Sequence, residues 1–134
     1  MTRLTNLTPA ERPVTERATI GSSKTLPPPV RRGDLAFSAM FTKAESERLK
    51  RGLIPREMED KWFICLHDGW LLFYRSWTGY CIYGLRLDAK REGFAVAESW
   101  VNRDPKQYRG TDIDYDRELL RHLIDALLLH RSAS

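Results

Sequence analysis

Cysteine and histidine are scarce in this chain, with two of the first and three of the second in 134 residues. His67, His122 and His130 lie too far apart to join Cys65 and Cys81 in the spacing of a zinc site. No metal or other cofactor is therefore expected. Long apolar runs are also missing. Leu127-Leu128-Leu129 is among the longest, far below the roughly 20 residues that span a bilayer. The opening Met1-Thr2-Arg3-Leu4-Thr5-Asn6 lacks the apolar core of a leader peptide, so a cytoplasmic, membrane-free protein is expected. There is no P-loop, no dinucleotide fingerprint and no nucleophile–base motif, which leaves catalysis without support from spacing.

Charge of one sign is lacking where it would matter most. The whole chain carries +4, but the excess is confined to residues 1–33, where Arg3, Arg12, Arg17, Lys24, Arg31 and Arg32 face only Glu11 and Glu16. Residues 34–134 hold sixteen basic and sixteen acidic side chains. A balanced domain has no phosphate-tracking surface. Nucleic-acid binding is thus expected only as weak attraction to the arm.

That arm is rich in Thr, Arg, Pro, Gly and Ser and ends in Pro27-Pro28-Pro29-Val30-Arg31-Arg32-Gly33. It offers too little apolar surface to offset its chain entropy. Residues 1–33 are expected to be a disordered basic arm, with the prolines as a stiff polyproline II linker. Residues 34–134 are expected to form a single α+β domain.

Thr42-Lys43-Ala44-Glu45 has the form of a capping box, and Gly52 followed by Ile54-Pro55 stops the short helix it would start. Strands follow. Trp62–His67 and Trp70–Arg75 flank Asp68-Gly69, a two-residue hairpin signal. A turn at Ser76-Trp77-Thr78-Gly79 leads to a third strand over 80–87, and 94–101 reads as a fourth. Leu119, Leu120, Leu123, Ile124, Leu127 and Leu128 make one apolar helical stripe. Asp112, Asp114 and Asp116 complement its N-terminal dipole. The expected fold is an antiparallel meander of three to four strands, with a long C-terminal helix on one face and a short helix before the sheet.

The hairpin register pairs His67 with Trp70, Cys65 with Leu72 and Phe63 with Tyr74. Continued across the next turn, it pairs Arg75 with Tyr80 and Leu72 with Tyr83. The face with Phe63, Cys65, Leu72, Tyr74, Cys81, Tyr83, Leu85 and Leu87 is then expected to receive the C-terminal helix. The face with Trp62, Ile64, Phe73 and Ile82 is too apolar for solvent. Either the short helix covers it or it serves a protein partner or self-association. Cys65 and Cys81 fall on strands separated by a third, roughly 10 Å apart, beyond the about 7 Å a disulfide spans. They read as buried free thiols of a reducing compartment.

The row Trp62–Arg75–Tyr80 is the candidate site. A guanidinium between two rings is held by cation–π contact while its N–H fork stays free for an anion. Trp77 offers a stacking surface, and Glu57, Glu59 and Asp60 arrive at the same end. The competing structural role pairs Arg75 with Glu59 or Asp60 and lays Trp77 over the sheet edge. Glu98 reads either as a solvated edge charge or as a buried partner of Tyr83.

The segments Met58-Glu59-Asp60-Lys61-Trp62-Phe63, Phe73-Tyr74-Arg75-Ser76-Trp77-Thr78-Gly79 and Cys81-Ile82-Tyr83 resemble a group of bacterial proteins. Some of these are joined to ADP-ribosylglycohydrolase-like enzymes. The resemblance spans 56–87 and implies a nucleotide-like ligand or a partner enzyme; it carries no catalytic residue with it. The expected function is a small binding or protein-interaction domain whose ligand the sequence does not identify, an anionic or nucleotide-like one being among the candidates. The alternative is a small hydrolase of nucleotide or ADP-ribose-like substrates, with Glu57, Glu59 or Asp60 as base and Arg75 as anion clamp.

Overall fold

The structure, a computed structural model, describes residues 16–130. Its centre is a five-stranded antiparallel sheet in the order β1-β5-β4-β3-β2. The strands are β1 (Arg32–Asp34), β2 (Trp62–His67), β3 (Trp70–Arg75), β4 (Cys81–Lys90) and β5 (Gly93–Asn102). Helix α1 (Lys43–Arg51) precedes β2, and α2 (Ile113–Leu123) runs on through a π-helical turn at Ile124–Leu128. The α+β class and the two helices match expectation. The strand count exceeds it by β1, a three-residue R-G-D segment with no alternation to announce it.

Local chemistry explains the element boundaries. The Glu45 backbone N–H donates to Thr42 Oγ1 at 3.1 Å, and the Thr42 N–H donates to Glu45 Oε1 at 2.9 Å, which completes the capping box of α1. Gly52 ends the helix at φ 64°, a conformation glycine adopts without strain. Asp112 caps α2 by accepting the N–H groups of Asp114 and Tyr115. Asp68 and Gly69 turn the β2–β3 hairpin with φ values of 50° and 83°, and its register matches expectation at His67–Trp70, Cys65–Leu72 and Phe63–Tyr74.

The next pairing departs from expectation. Arg75 N–H does bond Tyr80 O at 2.9 Å, but Tyr74 pairs with Cys81 and Phe73 with Tyr83. Ile82 is the extra residue of a β-bulge, so Leu72 faces Gly84 rather than Tyr83. A one-residue slip moves every later side chain to the other face. Tyr83, Leu85 and Leu87 therefore join Trp62, Ile64, Leu71, Phe73 and Ile82 in the main core. This face, not the Phe63–Cys65–Tyr74 face, receives α2 through Leu120, Leu123, Ile124 and Leu128. Trp62, Ile64, Phe73 and Ile82, expected as a possible partner surface, are interior residues. Leu49 of α1 packs into the same core, and Ser46 accepts the Phe94 N–H to fix α1 on β5.

The opposite face is covered by the chain's own beginning. Residues 16–33 of the expected arm follow the sheet: Ala18 is 1% exposed and packs with Phe63, Cys65, Leu72, Tyr74, Cys81 and Trp100. Ala18 N–H donates to Arg51 O at 2.7 Å and Leu26 N–H to Gly79 O at 2.9 Å. Backbone hydrogen bonds, the tucked Ala18, the packed Ile20 and the buried Pro29 supply the order that composition does not announce. Residues 1–15 lie outside the described residues.

Asp116 is the buried charge of the domain, 0% exposed. Arg103 Nη2 meets it at 2.8 Å, and the phenols of Tyr83 and Tyr108 both donate to its Oδ1. The carboxylate expected at a helix dipole thus ties α2 to β4 and to the β5–α2 loop. Glu98 instead pairs at the surface with Arg86 at 2.8 Å. Replacing Asp116 with Ala leaves two phenols and a guanidinium unmatched; an expected loss of about 3–5 kcal/mol in urea unfolding checks this.

Both cysteines are free and buried. Burial pushes the Cys65 thiol up to about 11 and the Cys81 thiol up to about 12. The unfolded chain releases these protons from about pH 8.5 upward while the fold keeps them. The folded state then binds more protons, so stability falls as pH rises from about 9 towards the folded values. Denaturation midpoints measured from pH 7 to 11 are expected to decline above pH 9. Thiol labelling at neutral pH is expected to proceed only as fast as global unfolding.

Candidate functional site

The end of the sheet where β2 begins and β3 ends carries the expected pair. Register sets Trp62 opposite Arg75. The guanidinium carbon of Arg75 lies 4.8 Å from the centroid of the Trp62 ring, within cation–π range. Trp62 is itself fixed from below. It is 8% exposed and stacks on Tyr83 with centroids 6.1 Å apart, and Tyr83 is anchored by its bond to Asp116. Burial, before any hydrogen bond, raises Tyr83 far above the ordinary phenol range and Tyr108 to about 12. Both phenols thus remain donors to the carboxylate.

Arg75 is exposed. Among the described residues it makes no ion pair, so the expected structural pairing with Glu59 or Asp60 is not present. An open cavity of about 260 Å³ lies beside it, lined by Lys61, Arg75, Trp77, Thr78, Tyr80 and Gln107. Tyr80 lines this cavity and packs against the core, half-buried. Its ring does not form the second cation–π contact expected for Arg75; Trp62 alone does so among the described residues.

Trp77 is 62% exposed, so most of it is left uncovered by the sheet. Its indole N–H donates to Met58 O at 2.9 Å, which pins the ring at the cavity rim. The turn that carries it is held from outside by the N-terminal strap. Gly79 sits at φ 79°, and a Cβ there would meet Lys24 Cγ at 3.0 Å and Leu26 N at 3.4 Å.

The acids expected at this end are elsewhere occupied or remote. Asp60 Oδ2 accepts the backbone N–H groups of Arg56 at 2.9 Å and Glu57 at 3.2 Å. It closes the turn before β2, and its carbonyl accepts the Ser76 hydroxyl. Glu59 and Glu57 are exposed, and none of the three lines the cavity. Among the described residues, then, no carboxylate lines the cavity with Arg75.

Lys61, Thr78 and Gln107 were not singled out from sequence. Lys61 and Thr78 adjoin recognised residues and became site residues only once the cavity wall was known. Gln107 arrives from the β5–α2 loop. Asn102 Nδ2 donates to Gln107 Oε1 at 2.9 Å, and Asn102 Oδ1 accepts the Asp104 N–H. The Asn-Arg-Asp-Pro turn chemistry of 102–105 marks a tight loop, but nothing in it announces which end of the sheet it would face. Among the described residues no group of His, Cys, Asp and Glu is arranged to hold a metal ion, and no helix is long and apolar enough to cross a membrane.

No family model matches this chain, and no match to it was found among curated proteins or solved structures.

The division of roles at this end predicts opposite behaviour for two substitutions. Arg75→Ala removes one exposed cation–π contact and is expected to cost less than about 1 kcal/mol of stability. Asp60→Ala orphans two backbone N–H groups and is expected to cost about 1–2 kcal/mol. Urea titration of both variants checks the order.

Proposed function

We propose that this protein is a non-catalytic binding module whose cavity takes an anionic group on Arg75 and Lys61 and a planar ring against Trp77 and Tyr80. The observation that carries the reading is the Arg75 guanidinium, stacked on a buried indole, exposed at a cavity and without a carboxylate partner among the described residues. An arginine that serves the fold spends its fork on protein acceptors, as Arg103 does on Asp116 and on Gly110 O. A stacked guanidinium with its fork free is built to receive an anion in a fixed plane.

The resemblance to proteins joined to ADP-ribosylglycohydrolase-like enzymes agrees with a nucleotide-like ligand. The hydrolase alternative has no such support. Glu57, Glu59 and Asp60 lie off the cavity wall, and Asp60 is committed to its turn. Two free, buried thiols fit a cytoplasmic setting for the module.

The test is a thermal-shift screen of the full chain against AMP, NAD, ADP-ribose, benzoate and short oligonucleotides, with Arg75→Ala alongside. A ligand at about 100 times its dissociation constant stabilises by roughly 2.7 kcal/mol, or several degrees. The expected result is a shift with at least one anion that Arg75→Ala abolishes without lowering the unliganded midpoint by more than a few degrees. No Arg75-dependent shift with any anion overturns the reading.

A further inference from the structure

The cavity's size and charge narrow the ligand further, given the anion-and-ring reading above. At about 260 Å³ it falls below the roughly 300–1,000 Å³ of pockets that enclose drug-sized ligands. One ring system and one anionic group fit such a space. A ligand with two nucleosides joined through a pyrophosphate would leave most of its surface outside.

The charge count points the same way. Among the described residues Lys61 and Arg75 are the two cations on the wall, and no acid lines it. A carboxylate or a phosphodiester offers one negative charge to this pair. A phosphate monoester carries about −1.5 to −2 at neutral pH and three acceptor oxygens. The Arg75 fork, the Lys61 ammonium and the Thr78 hydroxyl are donors on the wall that suit three oxygens.

The remaining wall suits a nitrogenous ring. Trp77 and Tyr80 provide aromatic surface. Gln107 Oε1 accepts from Asn102 Nδ2, while its Nε2 makes no hydrogen bond among the described residues, so a donor is available at this wall. A donor at that point rewards a ring with acceptor atoms on its edge, as every nucleobase has, over a plain phenyl ring. From these walls together we infer that the site binds a nucleoside monophosphate, with phosphate on Arg75, Lys61 and Thr78 and base between Trp77, Tyr80 and Gln107.

Calorimetric titration of the full chain with 5′-AMP, 5′-UMP, adenosine, inorganic phosphate, phenyl phosphate, benzoate and ADP-ribose tests this. At least one of the two nucleotides is expected to bind at least about tenfold tighter than every other compound. Lys61→Ala, a change at an exposed side chain, is expected to weaken nucleotide binding about tenfold with an unchanged melting midpoint. Trp77→Ala is expected to weaken the nucleotide while leaving inorganic phosphate unaffected. If ADP-ribose, phenyl phosphate or benzoate binds as tightly as the nucleotides and still requires Arg75, the monophosphate inference falls and the anion-and-ring reading stands. If adenosine equals AMP, or Lys61→Ala changes nothing, the phosphate assignment falls. If none of the anions binds in an Arg75-dependent way, both fall.

Discussion

Asp116 carries a charge with no exposed surface, and water cannot help it. Such a group persists only where several donors converge on it, because the desolvation penalty otherwise exceeds the attraction of any single partner. Here the donors are Tyr83 from β4, Tyr108 from the β5–α2 loop and Arg103 from the end of β5. The geometry can close only if α2 lies over the face that carries Tyr83. That face is chosen in turn by the bulge at Ile82. The same phenol supports the Trp62 ring, and the Trp62 ring supports Arg75. A continuous chain of contacts therefore joins the N-terminal part of α2 to the exposed guanidinium, and it starts from a fully buried carboxylate.

A sheet with apolar residues on both faces needs two covers, and the chain supplies them unequally. The two helices cover the Trp62–Phe73–Tyr83 face with long aliphatic side chains. The Phe63–Tyr74–Cys81 face is closed by a strap largely without regular structure, from which Ala18 and Ile20 pack onto the cluster. The thin cover suits what lies under it. Trp100 already crosses Gly84 so closely that a Cβ there would meet the indole at 2.4 Å, and Phe63 stacks on Tyr74 at 5.7 Å. The strap has little left to fill and holds mainly through backbone bonds at each end. One of those ends is Gly79, so the strap also braces the turn that presents Trp77 and Thr78.

What was legible in the sequence follows which interactions are local. Asp68-Gly69 pins a register by itself, so the Trp62–Arg75 pair could be read from two residues of turn chemistry. The capping box at Thr42 and the leucine stripe of α2 are similarly contained within a few turns. The bulge was not legible, because Ile82 and Tyr83 are ordinary strand residues and only the demand of Asp116 for a phenol selects which one faces the helix. Asp116 itself read as a helix-dipole charge, since its partners stand 8, 13 and 33 positions away. The strap failed for a related reason: backbone hydrogen bonds leave no trace in side-chain periodicity. The site was half visible on the same principle. Arg75, Trp62, Trp77 and Tyr80 belong to one hairpin and the turn beside it, whereas Gln107 arrives through a loop whose direction is set by the Asn102 bonds to Cys81 O and Gln107.

The acids around the site explain why its cations remain available. Asp60 stands in sequence beside Lys61 and would neutralise a nearby guanidinium if its carboxylate turned towards the cavity. Two backbone N–H groups hold it the other way. Asp116, close behind Tyr83, is saturated by Arg103 and the phenols. Asp88 and Glu98 share Arg86 further along β4 and β5. Asp60 and Asp116 are thus held by groups that also fix the fold, while Glu57 and Glu59 stay exposed and off the cavity wall. At this cavity the acid next in sequence to Lys61 is held by its own turn and the acid behind Tyr83 by buried donors, so the same bonds that build the domain keep both carboxylates off the cavity wall.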